Sequence, residues 1–438
     1  MAIVSLLLVL QIYFVIYQTI QFRNLKKRQR ASHHKFSQIS QKQLELSHEL
    51  SFFYEKQYER LSLPNAIANL PFSDQMIRSI HLLQIPPIYH RGLSFVNLKG
   101  HHSNPSLNDL LSAVLRQHSS PLRSSNLDSS EAPQNHKTQA PRGIVVPYNG
   151  SLIEKGDGYL LFFRYDTPSI YLQRGSFFSQ IGCIELQSDF TPIESSFSII
   201  DTKSRFSEDP RIFSHNGDYF LLYSDLKQEM RGLRLAQIDL KTRELTSITH
   251  LCTDSRRTEK NWTPFSWKGD IYFLHTIAPL KVFRLFNSDR DVLSPVEGIE
   301  NKKLVAFWSE RWGIPRGGTS AQLLNDEYLA FFHSSFEERN GRIWYVMGAY
   351  TFAAEPPFQL LRMSQYPILF QGIYETTHRN TARPRIRTIY PVGFVCRGDE
   401  IHLSCGENDS AIKVVTMDKR RLLESLVLLE SVQSASIK

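Results

Sequence analysis

The stretch "KGDGYLLFFRYD", Lys155 to Asp166, decides the fold of this chain. A short polar turn rich in Gly and Asp leads directly into aromatic and aliphatic residues, a pattern typical of a tight hairpin before a buried strand. The pattern returns as "HNGDYFLLYSDL" (215–226), "WKGDIYFLHTIA" (267–278), "LNDEYLAFFHSS" (324–335) and "CRGDEIHLSCGEND" (396–409). Each interval has room for about four short strands, as in a propeller blade. The sequence therefore predicts an all-β, five-bladed β-propeller, with a large β-sandwich as the alternative.

A polar residue follows the apolar run in every copy of this pattern. These residues are Arg164, Ser224 with Asp225, His275, His333, and Asn408 with Asp409. Equivalent positions of propeller blades lie at equivalent radii around one axis, so we expect these side chains to gather at one mouth of the ring. Any one of them alone is ordinarily a solvated turn residue, but a set at matching phase predicts a shared pocket.

Composition agrees with a β-rich protein and excludes some partners. The chain has 438 residues with 12% aromatic side chains, 21 Gly and 21 Pro, which favours many strands and turns. The net charge is +8, but no basic stripe with interleaved aromatics follows the N-terminal region, so nucleic acid is not an expected partner. No C-x-x-C pair occurs, and neither a metal nor an organic cofactor is expected.

The N-terminal residues 1–22 predict a single membrane anchor. They carry no charged side chain, and as a helix they would reach about 33 Å, enough for the hydrocarbon core. A basic cluster follows, made of Arg23, Lys26, Lys27, Arg28 and Arg30, which predicts that the rest of the chain, with the propeller, lies on the cytoplasmic side. A buried helix of a soluble protein is the alternative.

The rest of the chain divides by composition into four parts. Residues 23–100 read as a basic juxtamembrane and helical region, a stalk that could also serve homo-oligomerisation. Residues 101–142 are rich in Ser, Asn, Gln, His and Pro, as in a flexible linker. The propeller is predicted over 143–418 and a helical tail over 419–438.

The stretch "RFSEDPRIF", residues 205–213, places two carboxylates and an arginine at one proline turn. Alone, it is ordinarily a surface turn with a local ion pair. Five segments, however, resemble glycoside hydrolase family 130, the inverting β-mannoside phosphorylases and their relatives, which form five-bladed propellers. They are "YNGSLIEKGDGYLLFFRYD", "SEDPRIF", "EKNWTPFSWKGDIYFLH", "RGGTSAQLLNDEYLAFFHSS" and "PVGFVCRGDEIHLSCGENDSAI". The resemblance keeps the family's order and runs from about Pro147 to Met417.

The resemblance implies roles for individual residues. The family's E-D-P-R element makes Asp209 the proton donor, acting through a sugar hydroxyl. Burial and the neighbouring Glu208 are expected to raise the Asp209 pKa, as an acid requires. Substrate contacts are expected from Asn149, Glu208, Arg211 and Asp409.

A phosphorylase also needs cations for phosphate, its co-substrate, because phosphate is itself the nucleophile and needs no second carboxylate as base. The resemblance assigns Arg164, Lys260 and His333 to the phosphate or the reacting sugar. Arg316 is an additional cation near them in sequence. The predicted function is therefore that of a membrane-anchored enzyme, which transfers a mannosyl-type unit with inversion between a glycan and inorganic phosphate.

The loop "PRGGTSA", Pro315 to Ala321, departs from the family's usual Gly-Ala-Gly pattern and leaves three alternatives open. The first is a mannosyltransferase that uses a sugar nucleotide or a sugar phosphate. The second is a hydrolase, which needs a water-activating carboxylate about 6.5–9.5 Å from the acid; Glu407, Glu208 and Asp225 are the candidates. The third is a glycan-binding propeller without activity.

Overall fold

The computed structural model describes residues 63–71, 73–85, 88–89, 144–145, 147–168, 177–227, 230–251, 258–286, 292–296, 303–376 and 386–429. These residues all belong to one compact unit. The predicted anchor (1–22) and linker (101–142) lie outside the described residues and stay predictions. Within the ranges given above, no helix is both long enough and apolar enough to cross a bilayer.

Strands make up most of the described chain. The helices are α1 (Asn65–Ala68), α2 (Lys303–Trp312) and α3 (Lys419–Ser425). The first strands are β1 (Ile77–Leu82), β2 (Ile88–Tyr89), β3 (Ile144–Val145), β4 (Pro147–Lys155), β5 (Gly158–Pro168), β6 (Phe177–Leu186), β7 (Pro192–Ile200), β8 (Glu208–His215), β9 (Asp218–Lys227), β10 (Met230–Ile238) and β11 (Leu245–Leu251). The remaining strands are β12 (Thr263–Trp267), β13 (Asp270–Ile277), β14 (Leu280–Phe286), β15 (Val292–Val296), β16 (Arg316–Gly317), β17 (Gln322–Leu324), β18 (Glu327–Glu337), β19 (Ile343–Ala353), β20 (Leu360–Ser364), β21 (Ile386–Arg387), β22 (Ile389–Arg397), β23 (Glu400–Glu407), β24 (Ala411–Asp418) and β25 (Leu426–Leu428).

The five predicted hairpins are present, each with a two-residue loop. In the second hairpin His215 pairs with Asp218, and both loop residues, Asn216 and Gly217, have positive φ angles of 52° and 86°. The third hairpin repeats this arrangement, with 44° at Lys268 and 84° at Gly269. Such angles match the twist of the flanking strands, which is why Asn and Gly occupy these loops. Local chemistry therefore accounts for the repeated pattern in the sequence.

The strands form an all-β, propeller-like arrangement. Four sheets have four strands in the orders β4-β5-β6-β7, β8-β9-β10-β11, β12-β13-β14-β15 and β1-β24-β23-β22. A seven-stranded sheet follows the path β16-β18-β19-β20-β25, with β17 beside β18 and β21 beside β19. Each predicted repeat supplies the second strand of one of these sheets, namely β5, β9, β13, β18 and β23.

Apolar clusters lie between sheets that are neighbours along the chain, and another joins the last sheet to the first. Phe162 of β5 packs with Tyr223 of β9, and Leu161 of β5 shares a cluster with Val414 of β24. Because each face of a sheet must be covered to bury its side chains, this sequence of contacts closes the sheets into a ring.

Both predicted boundaries of the folded domain, 143 and 418, need correction. Strand β1 lies upstream of the linker yet pairs antiparallel with β24, where it covers an edge that would otherwise expose unpaired backbone groups. Residues 23–100 are thus not helical throughout. The tail predicted as helix over 419–438 is helical only in α3, and β25 then pairs with β20.

Candidate active site

In each sheet the innermost strand runs antiparallel to the second strand. The start of the innermost strand therefore lies beside the end of the second strand. Tyr148 pairs with Arg164 in the first sheet, and Arg316 pairs with His333 in the seven-stranded sheet. These positions surround a cavity of about 450 Å³. The predicted site residues that line it are Asn149, Arg164, Glu208, Asp209, Lys260, Arg316, His333 and Asp409.

Two bulges aim Asn149 and Asp209 at each other. The pairing of β4 with β5 shifts between Tyr148 and Ser151, and that of β8 with β9 shifts between Glu208 and Arg211. Asn149 and Asp209 lie in these bulges with φ angles of 50° and 52°, values that are uncommon for residues other than glycine. A bulge re-aims its side chain, and here Asn149 Nδ2 donates to Asp209 Oδ1 at 2.8 Å.

Arg164 is the centre of the charged contacts in the cavity. Its Nε and Nη2 donate to the two oxygens of Asp166 at 2.9 and 3.0 Å. Nη2 also lies 2.9 Å from Glu208 Oε1, and Nη1 lies 3.4 Å from Asp209 Oδ1. The Arg164 side chain is only 15% exposed, so these carboxylates replace the water that a guanidinium would otherwise bind.

Asp166 holds Arg164 in this position. Besides the guanidinium, it accepts hydrogen bonds from Tyr148 Oη at 2.5 Å and from Ser179 Oγ at 2.6 Å. The guanidinium also lies over the Tyr148 ring, with its Cζ atom 5.0 Å from the ring centroid. With four hydrogen bonds to satisfy it, Asp166 orients the arginine rather than facing a substrate as a free carboxylate.

Glu208 is a nearly buried carboxylate held by three cations. Its side chain is 6% exposed. It forms ion pairs with Arg164, with Arg231, and with Lys260, whose Nζ lies 3.0 Å from Oε2. We refer to Arg164, Arg231, Lys260, Asp166, Glu208 and Asp209 as the charge cluster; it contains as many cations as carboxylates. Arg231 was not predicted, because it lies on the third strand, β10, and the sequence pattern drew attention only to the second strands.

The pKa of Asp209 is lowered, contrary to the expected rise. Burial raises it, but the positive charges of Arg164 and Lys260 and the hydrogen bond from Asn149 outweigh burial. The expectation considered Glu208 alone, whereas in the folded chain Glu208 is itself surrounded by cations. Asp209 is therefore ionised at neutral pH when the cavity holds no substrate.

Four further residues of the cavity lining, namely Arg316, His333, Tyr345 and Tyr390, are here called the aromatic wall. His333 is 2% exposed and meets Tyr345 and Tyr390 with ring centroids 6.0 and 4.7 Å apart. Burial, with Arg316 and Arg211 nearby, lowers its pKa well below the ordinary value, so this imidazole is neutral. Arg316 Nη2 donates to Ser335 Oγ at 2.7 Å.

The altered loop is close-packed, and this explains its two glycines. A Cβ at Gly317 would lie 2.2 Å from the Asn261 carbonyl oxygen, and one at Gly318 would lie 2.7 Å from that of Pro391. The backbones of different sheets meet here, so only glycine fits. The two glycines thus fix the backbone of the loop that carries Arg316, whose side chain lines the cavity.

Arg211 is the predicted site residue that does not line the cavity. It is 2% exposed, and its guanidinium donates to the Trp262 carbonyl, to Asn261 Oδ1 at 3.2 Å and to Tyr390 Oη. Without lining the cavity itself, Arg211 thus holds two residues that do, Asn261 and Tyr390, by hydrogen bonds. The strand-end residues Ser224, Asp225 and His275 are also absent from the lining; Asp225 pairs with Arg234 and His275 with Glu259.

The candidate carboxylates for water activation are not available for that role. Glu407 is fully buried and pairs with Lys413 at 2.8 Å. Asp225 lies outside the lining, and Glu208 is held by its three cations. No group of His, Cys, Asp and Glu side chains suited to a metal ion occurs within the described part of the chain. Among the three carboxylates of the charge cluster, Asp209 is the most loosely held.

A family model matches more than half of the chain. Residues 183–427 match the model of glycoside hydrolase family 130, described as beta-1,4-mannooligosaccharide phosphorylase. A comparison with curated proteins found no match.

Among solved structures, a beta-1,2-mannobiose phosphorylase from Listeria innocua is similar, with a TM-score of 0.47 and 16% identity over 66% of this chain and 93% of that one. A mannose phosphorylase from Leishmania mexicana in complex with phosphate ion has a TM-score of 0.42 and 14% identity, over 65% and 87%. A GDP-Man-dependent mannosyltransferase from the same organism has a TM-score of 0.40 and 12% identity, over 63% and 86%.

Proposed function

The chain belongs to glycoside hydrolase family 130, and we propose that this glycosidase-like enzyme is a mannoside phosphorylase that transfers a mannosyl-type unit, with inversion, between a β-linked glycan and inorganic phosphate. One observation carries the proposal. Asp209 is the most loosely held carboxylate of the charge cluster and has cations beside it, whereas Glu208 and Glu407, two candidates for water activation, are paired with lysines. Such a site suits an anionic nucleophile better than water.

In the proposed reaction Asp209 supplies the proton for the leaving group. A phosphate oxygen attacks the anomeric carbon and forms a new C–O bond on the opposite face, while the bond to the glycosidic oxygen breaks. The glycosidic oxygen takes its proton from Asp209, directly or through a sugar hydroxyl. The products are a mannosyl phosphate, a shortened glycan and ionised Asp209. General acid catalysis of this kind typically contributes about 10² to 10⁴ in rate.

The remaining predicted residues have roles that follow from their places. Lys260 and Arg164 present N–H donors beside Glu208 and Asp209, and Arg316 lines the same cavity. Together these three cations are suited to phosphate oxygens. Neutral His333 can donate or accept one hydrogen bond. We propose that Asn149 and Asp409, which both line the cavity, contact sugar hydroxyls.

Finer features of the architecture belong to the same proposal. We propose that the seven-stranded sheet is the fifth blade, with β16 and β17 as a broken innermost strand and β25 as an addition at its edge. This assignment is supported by the position of its second strand, β18, in the five-fold repeat. The predicted anchor, residues 1–22, would attach the enzyme to a bilayer with the propeller in the cytoplasm.

A mannosyltransferase is the second candidate, favoured by Arg316. In the described part of the chain Arg316 has no carboxylate partner, in contrast with Arg164, Arg231 and Lys260. It sits on the loop that departs from the family pattern, where a larger anion such as a sugar nucleotide would find an uncompensated positive charge.

A donor comparison tests both candidates. The full chain is incubated in separate reactions with mannose 1-phosphate and with GDP-mannose over a panel of mannosyl acceptors, and release of phosphate or GDP is measured. Phosphate release from mannose 1-phosphate, absent in Asp209→Asn, is the expected result. Release of GDP alone would replace phosphorolysis with sugar-nucleotide transfer, and turnover of neither donor would contradict both.

A further inference from the structure

The charge cluster lacks a net charge, although it is where a phosphorylase must place a dianion. Arg164, Arg231 and Lys260 are matched by Asp166, Glu208 and Asp209, and all six line the cavity. Two added negative charges would therefore not be balanced by the cluster as it stands, and Arg316, a further lining cation, could offset only one of them. In a mostly buried site, the uptake of a proton by a carboxylate costs less than leaving such charge uncompensated.

The contacts single out which carboxylate would take that proton. Asp166 accepts four hydrogen bonds, from Tyr148, Ser179 and twice from Arg164. Glu208 is bound by three cations. Asp209 has one short hydrogen bond, from an uncharged amide, and one ion pair at 3.4 Å. Among the three carboxylates of the charge cluster, protonating Asp209 therefore breaks the fewest contacts.

We propose that phosphate binding draws a proton from solvent onto Asp209, so that the nucleophile prepares the acid of the same reaction. This inference rests on the proposed function and deepens it. An anion that engages Arg164 and Lys260 competes for the charges that keep Asp209 ionised. The coupling works in both directions: phosphate favours protonated Asp209, and protonated Asp209 favours phosphate.

The ionisation of Asp209 depends on groups from every strand and loop around it. They are Asn149 of β4, Arg164 of β5, Glu208 and Arg211 of β8, Lys260 ahead of β12, His333 of β18, Tyr390 of β22 and Asp409 after β23. His333 is neutral and Tyr390 has a raised pKa, so neither changes charge near neutral pH. Arginine and lysine keep their charge there as well. Carboxylates are therefore the groups able to respond.

The coupling also explains how Asp209 can act as an acid although its pKa is lowered in the empty cavity. An acid whose pKa is lowered in the empty cavity would be unprotonated when the glycan arrives. If the proton enters with phosphate, the acid is ready only when the nucleophile is present. Hydrolysis by stray water in the absence of phosphate is then disfavoured, which suits a phosphorylase.

Isothermal titration calorimetry tests the proposal with sulfate as the probe. Sulfate stays doubly charged throughout the measured range, so a proton taken up on binding goes to the protein. The full chain is titrated in two buffers with different ionisation enthalpies, and their difference gives the protons bound per anion. We expect uptake to rise toward about one proton per anion as the pH falls from about 7 to about 5.

Two matched variants assign the proton. Asp209→Asn should bind sulfate at least as tightly as the wild type near pH 7, without proton uptake and without a gain in affinity at lower pH. Asp409→Asn, which removes the other cavity carboxylate on a positive-φ turn, should keep the uptake. Uptake that survives in Asp209→Asn, or that disappears in Asp409→Asn, overturns the proposal.

The same titration with phosphate separates failure of this inference from failure of the proposed function. If phosphorolysis occurs and both anions bind without proton uptake, the coupling is wrong and the phosphorylase assignment stands. If neither anion binds and phosphorolysis is absent, both are wrong.

Discussion

The charge cluster and the aromatic wall line one cavity, but they hold charge in different ways. In the cluster Arg164, Glu208 and Lys260 are tied to one another, so each charge is offset by a neighbour. On the aromatic wall Arg316 contacts a hydroxyl and a ring, and the adjacent His333 is neutral. Charge on one side is thus balanced within the protein, and on the other it is open to a ligand.

The two groups of residues are therefore suited to different tasks, the charge cluster to the reaction and the aromatic wall to ligand recognition. Balanced, hydrogen-bonded charges keep a fixed geometry, as proton transfer and nucleophilic attack require. Rings and one uncompensated cation suit a sugar face or an extra anionic group. Four substitutions test this division, from the largest expected effect to the smallest.

Asp209→Asn is expected to lower the rate of phosphorolysis by about 10² to 10⁴, because the amide keeps the size of the carboxyl group but has no acidic proton to transfer. Initial rates over a range of phosphate concentrations measure it. Asp218→Asn, an exposed aspartate of the same sheet, is the matched control and should keep the wild-type rate. An Asp209→Asn enzyme with wild-type turnover would remove the reaction from the charge cluster altogether.

Arg164→Met is expected to lower the free energy of unfolding by about 3–5 kcal/mol, because it leaves partly buried carboxylates without their common partner. Urea titration of the full chain measures this loss. The control is Arg420→Met, which breaks an exposed ion pair with Glu424 at 3.9 Å and should cost less than about 1 kcal/mol. Equal stability losses in the two variants would show that the charge cluster is not tightly coupled.

Lys260→Ala is expected to weaken phosphate binding by about 1.5–3 kcal/mol, the usual value of a charge-assisted contact. Calorimetric titration with phosphate gives the dissociation constant. Lys281→Ala, an exposed lysine on β14, should leave the affinity unchanged. Unaltered phosphate affinity in folded Lys260→Ala would exclude Lys260 from the anion site.

Arg316→Gln is expected to have the smallest effect on phosphate, about 0.2–1 kcal/mol, because this side chain is exposed and its charge is screened by solvent. The same titration is repeated with GDP-mannose. A loss larger than that of Lys260→Ala, for either ligand, would place the main anion contact on the aromatic wall. If that larger loss occurred only with GDP-mannose, the transferase would become the better assignment.

Much of the fold could be predicted because its signal is local. Asn216, Gly217, Lys268 and Gly269 occupy positive-φ hairpin loops, and neighbouring residues alone set that preference. Once the hairpin loops were located, the first residue of the strand after each loop could be predicted as well. Arg164, His333 and Asp409 were predicted at the cavity because they follow the repeated strand at matching positions, and equivalent positions of propeller blades lie at equivalent radii around one axis. The closing strand β1 was missed, since its partner β24 lies more than three hundred residues away.

The repeat, the hairpins and the residue types at the strand ends can therefore be read from the sequence alone. The partners of those residues, and with them their ionisation, depend on the tertiary structure. Asp209 meets Asn149 and Arg164, which are 60 and 45 residues away in the chain, and Glu208 meets Lys260 at a separation of 52. Arg211, two residues from the acid in sequence, contacts Asn261 and Tyr390 instead. Backbone preference is a property of adjacent residues, whereas the ionisation of a carboxylate depends on distances in space, which are set when the sheets close into a ring.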